Sequence, residues 1–121
     1  MDELASFLKT ASWKKGDREL YFCDDPGLKP VLVRATKDFP DYLRGYGFQA
    51  WKVMEDAEIL EKEGIGKKGY IIPVATITGQ PRLLSEPSQP LLHPNDPIAF
   101  EREPRITPAL FLILAFPPSS A

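Results

Sequence analysis

Residues 42–52 (YLRGYGFQAWK) gather the side chains of this chain best suited to recognition chemistry. Tyr42, Tyr46, Phe48 and Trp51 offer flat π faces, and Arg44 and Lys52 offer fixed positive charge. Rings of that kind stack on nucleic-acid bases for about 1–3 kcal/mol each, and the cations hold phosphate. Other chemistry has less to work with. The chain has one Cys and one His, which is too few for a Cys/His metal cluster, so no metal ligand set is expected. Cys23 lies beside Asp24 and Asp25, whose charge raises a thiol pKa and disfavours a reactive thiolate. His93 lies between Leu92 and Pro94 and reads as a loop residue, so no catalytic triad is expected. Residues 64–69 (GIGKKG) look like a phosphate loop but follow a predicted helix instead of a strand, which makes them a turn. Asp17, Glu19, Asp24 and Asp25 cluster near one predicted strand. Along it Glu19 and Asp24 would stand roughly 15 Å apart at about 3.3 Å per residue, too far to share a cation.

The elements that must position these residues can be read from period and punctuation. Residues 2–11 predict a helix, with acids in the first turn and Leu4, Phe7, Leu8 and Ala11 on one face. Strands are predicted at 18–23 and 30–36, joined as a hairpin through the Asp-Asp-Pro-Gly turn at 24–27. A single helical turn is expected at 38–44, a strand at 46–54 and a short helix at 55–63. Residues 70–78 predict a strand that is an edge or carries a bulge, because Pro73 cannot donate to a ladder. Ten of the thirteen prolines lie from Pro73 onward, so 81–97 is predicted to cross the surface in extended form, with Leu83, Leu84, Leu91 and Leu92 pinned to the body. A brief strand at 98–102 precedes 109–116 (ALFLILAF), the predicted central strand. The result is one α+β domain spanning 1–121. Its core is a mainly antiparallel sheet or partly open small barrel of about six strands, with an N-terminal helix and one short internal helix.

Within this frame, residues 44–51 (RGYGFQAW) resemble the signature octapeptide of the RNA-recognition-motif family at their first five positions, and Leu20-Tyr21-Phe22 resembles its partner motif. The resemblance implies an open sheet face on which Arg44, Tyr46 and Phe48 meet single-stranded RNA. Gln49 and Trp51 depart from the pattern. Residues 26–43 offer one strand where the family has a helix and a strand, so the chain is not assigned to that family. The other reading turns Tyr46 and Phe48 toward the core and makes Gly45 and Gly47 a bulge or a close backbone contact.

Composition bounds the function. At 121 residues and 43% hydrophobic content the chain can bury one core without metals or disulfides. A net charge of −2 does not favour a binder driven by charge alone. Eight apolar residues is far short of the roughly 20 a membrane helix needs, so no membrane insertion is expected. With acids at Asp2 and Glu3 and no apolar leader, a cytoplasmic location is expected. A site of carboxylates such as Glu19, Asp24 or Asp25 with Arg34 or Arg44 would make the chain an enzyme. The expected function is instead that of a non-catalytic protein-interaction module or accessory subunit, without cofactor or metal and with a protein partner. Single-stranded nucleic-acid binding is the alternative. The candidate binding residues are Tyr42, Arg44, Tyr46, Phe48, Trp51, Lys52, Leu91 and Leu92.

Overall fold

The computed structural model describes residues 2–15, 20–54, 57–58, 68–101 and 104–117. Helix α1 (Asp2–Thr10) forms as its pattern requires, burying Leu4 and Leu8 completely. Helix α2 (Leu28–Ala35) stands where the sequence predicts a strand at 30–36. Its burial explains the difference. Val31 and Ala35 are buried while Val33 is 59% exposed, whereas a strand would put all three on one face. Pro30 is its third residue, where no intrahelical N–H bond is made, so the ring costs nothing there. The 24–27 turn forms and leads into the helix. The Asp25 carbonyl accepts the Leu28 N–H at 3.0 Å and its carboxylate accepts the Gly27 N–H at 2.8 Å. Glu3 and Arg34 join the two helices through paired contacts of 2.8 and 2.7 Å.

With 30–36 helical, the predicted hairpin is replaced. Strand β2 (Leu20–Cys23) pairs instead with β1 (Trp13–Lys15) on one side and β3 (Gly47–Val53) on the other. Strand β4 (Ala57–Glu58) lies inside the predicted 55–63 helix, and the remainder of that prediction falls outside the described residues. Strands β5 (Gly69–Thr76), β6 (Ile98–Phe100), β7 (Arg105–Ile106) and β8 (Leu110–Phe116) complete the set. The main sheet is antiparallel and open, ordered β1-β2-β3-β8-β5-β6, with β8 inside as its unbroken apolar run demands. Strand β5 is not an edge, because it lies between β8 and β6. It carries the expected bulge between Pro73 and Ala75. Pairing with β6 has ended at Ile71, and the Pro73 carbonyl accepts the Asn95 N–H at 2.9 Å, so the ring's missing donor falls where no strand needs it.

The sheet is covered on both faces. On one side α1 and α2 bury Cys23, Ala50, Ile72, Val74, Phe111, Ile113 and Ala115. On the other, Leu20, Trp51, Val53, Ile71, Leu110, Leu112 and Leu114 pack under Leu83, Leu92 and Ile106. The proline-rich segment is therefore a layer of the core. Leu83 bridges Ile106 of β7 and Arg82 bridges Leu91, extending the β4–β7 ladder into a small irregular second sheet. Burying a leucine in this way contributes about 1.5–3 kcal/mol. No helix among the described residues is long and apolar enough to cross a membrane.

Candidate binding surface

Strand β3 divides its side chains by the period of two. Tyr46, Phe48 and Ala50 turn to the helix-covered face, while Trp51 and Val53 turn to the face covered by the proline-rich layer. Trp51 is 3% exposed and stands edge-on to Phe22 at 5.1 Å, and Leu92 is also 3% exposed. Neither reaches the surface, which corrects their assignment as contact residues. Residue type alone could not separate a core anchor from a surface one. Gln49 shares the Trp51 face, and its amide oxygen accepts the indole N–H at 3.3 Å, so a polar residue here completes an apolar neighbour. Leu91 is half-buried, in a bridge with Arg82.

The aromatic row that resembles an RNA platform thus lies on the covered face. Phe48 packs against Phe39 at 5.3 Å between ring centres, and Tyr46 against Tyr70 at 6.0 Å. Both rings are half-buried. Tyr42 is 51% exposed and leans on Tyr70 at 5.0 Å. Partial burial pushes its phenol pKa up, helped by Tyr70, Asp96 and Tyr46.

The Phe39 and Phe48 rings, with the chain that follows α2, line a cleft of about 470 Å³. Two 3-10 turns, Thr36–Asp38 and Asp41–Leu43, form its wall. Phe39 falls between them with φ −83° and ψ 150°, the extended state imposed by the following Pro40. That kink swings its ring onto Phe48. Gly45, at φ +85°, then turns the chain into β3, a conformation that favours glycine. Lys37 and Arg44 stand exposed at the rim, and Asp41 lies 3.8 Å from Arg44. Both members of that pair are so exposed that water screens most of their attraction. Lys37 and Phe39 are absent from the sequence candidates; an aromatic immediately before proline in a helical-turn segment marks Phe39, and no local signal marks Lys37.

Asp24, Asp25 and Arg34 bond within the fold. Asp25 accepts N–H groups of Ser12 and Gly27, and Asp24 accepts the Ser12 hydroxyl at 3.0 Å. Arg34 is engaged by Glu3. Cys23 is buried, and burial pushes its thiol pKa up, with the charges of Asp25 and Asp24 adding to it. His93 is exposed in a turn. Asp17, Glu19 and residues 64–67 lie outside the described residues. Among the described residues no three His, Cys, Asp or Glu side chains gather as metal ligands would. Lys52, at the far end of β3, is held over the rings of Trp13 and Tyr21 at 5.2 and 4.6 Å. Comparison with family models, with curated proteins and with solved structures finds no match to this chain.

Proposed function

We propose that the domain is a non-catalytic recognition module, an adaptor or accessory subunit working in the cytoplasm, that docks a segment of another protein in the cleft between residues 36 and 48. The observation that carries this reading is the Phe39–Phe48 pair at the base of a cleft rimmed by Lys37 and Arg44. An apolar side chain of the partner would displace water from the two rings, and a polar neighbour would bond the Arg44 guanidinium. Buried aromatic contacts ringed by polar groups are the usual anchors of such interfaces.

The test is a pull-down from native lysate with the wild-type chain and a Lys37→Glu/Arg44→Glu variant. Both changes are at exposed positions, so the melting temperature should hold. A partner retained by the wild type should be lost by the variant. Equal capture by both, or none by the wild type, contradicts the proposal. A polyuridine oligonucleotide bound at low salt and released by Tyr42→Ala would favour the nucleic-acid reading instead.

A further inference from the structure

A second groove lies at the opposite end of β3 and shares no lining residue with the cleft. It is open along one side, holds about 470 Å³, and is lined by Lys9, Lys52, Met54, Thr76, Ile77 and Phe111. Its floor is apolar and firmly built. The Phe111 ring stacks on Trp13 at 5.7 Å with 25° between planes, and the Trp13 indole donates to the Leu8 carbonyl at 3.3 Å. Met54 is 40% exposed above it.

Among the described residues, the charged side chains that line the groove are both positive. Lys52 sits across the ladder from Phe111 on one side and Tyr21 on the other, with its ammonium over the Tyr21 and Trp13 rings. Lys9 projects from the last turn of α1. Among the described residues, neither lysine is in an ion pair and no carboxylate lines the groove. Aromatic faces hold a cation in place without neutralising it, because a ring quadrupole carries no net charge. Lys52 is therefore pre-positioned and still able to meet an anion.

We infer that this groove seats an acidic segment of a partner protein, with an apolar side chain laid on Phe111, Ile77 and Met54 and carboxylates reaching Lys9 and Lys52. Charge complementarity selects the acidic partner. The open side selects a protein segment over a free small molecule. Small-ligand sites enclose about 70–90% of their ligand, whereas a polypeptide brings flanking surface of its own to exclude water. The inference stands whether or not the cleft at 36–48 is occupied.

Three labelled peptides that differ only in charge test it by fluorescence polarisation on the full chain: Glu-Glu-Phe-Leu-Glu-Glu and its Gln and Lys counterparts. The Glu peptide should bind at low ionic strength, weaken as salt is added, and shift the NMR signals of the Met54 and Ile77 methyls. Lys9→Gln with Lys52→Gln should weaken binding by about tenfold or more, while Lys29→Gln on α2 should leave it unchanged. Should the double variant fail to fold, Met54→Glu at its exposed position carries the test and should abolish binding by repulsion. Failure of the Glu peptide to bind, equal binding of the Lys peptide, undiminished binding by the folded variants, or octanoate shifting the same methyls where the Glu peptide does not, would each overturn the inference.

Discussion

Asp25 does at the residue scale what its type suggests for a turn. One carboxylate oxygen accepts the Gly27 N–H at 2.8 Å, and the other accepts the Ser12 N–H at 3.0 Å. These bonds, Gly27 first, hold its carboxyl below the ordinary carboxylate range, because they favour the charged form. A folded pKa below the unfolded one means that the stabilisation is present above the unfolded pKa and fades as pH falls through the folded value. Glu3, bonded by Arg34, acts in the same sense. Asp25→Ala should therefore lower the melting temperature at neutral pH and reduce its loss on acidification, with both curves converging in acid. Melting followed against pH checks this, and parallel curves would contradict it. The turn was legible in the sequence because Asp, Pro and Gly each act locally. The sidedness of Trp51 was not, because an indole packs equally well in a core or at an interface, and only its pairing opposite Phe22 and Leu112 decides between them.

Strands that carry their own pattern were readable as elements. The apolar run of β8, the β-branched run of β5 and the acid-to-base gradient of α1 each fix a state by propensity and period. Strand β1 has three residues and no pattern of its own, and β2 creates it by pairing. Helix α2 was hidden because Val31 and Val33 favour strands locally while burial against α1 favours a helix, and packing outweighs propensity. Pairing also sets how closely elements approach. At Gly69 an added Cβ would strike the Ala115 carbonyl of β8, which is backbone and cannot turn aside. At Gly47 the obstacle is the Phe116 ring, a half-buried side chain at the sheet's end that can rotate. Gly69→Ala should cost about 1–3 kcal/mol as overpacking, and Gly47→Ala clearly less. Urea unfolding of the two variants checks the order, and a Gly47 variant as unstable as the Gly69 one would contradict it.

For the molecule as a whole, the decisive relation is that one sheet has two coverings of different kinds. The helices supply one, and a chain too rich in proline for regular structure supplies the other. That second covering gains its order from a few contacts. The Leu83 N–H donates to the Pro90 carbonyl at 3.0 Å, the Leu84 N–H to Arg105 at 2.8 Å and the Leu92 N–H to Pro81 at 2.8 Å. Extended backbone then alternates its leucines, leaving Leu83 fully buried and Leu84 half-buried, although the sequence pairs them as equals. If this layer is integral, removing its anchor must weaken the entire domain. Leu83→Ala should cost about 2–5 kcal/mol, as a fully enclosed leucine does, and should shift one cooperative urea transition without splitting it. Leu84→Ala, facing partly to solvent, should cost a smaller amount. In the wild type the Leu83 and Leu92 amides should exchange as slowly as those of β8, and native-state protease should not cut between 81 and 97 first. Early cleavage there, with the remaining sheet still folded and Leu83→Ala harmless, would mean that the sheet holds together without its second covering. The proline-rich segment would then be an attachment and no part of the core.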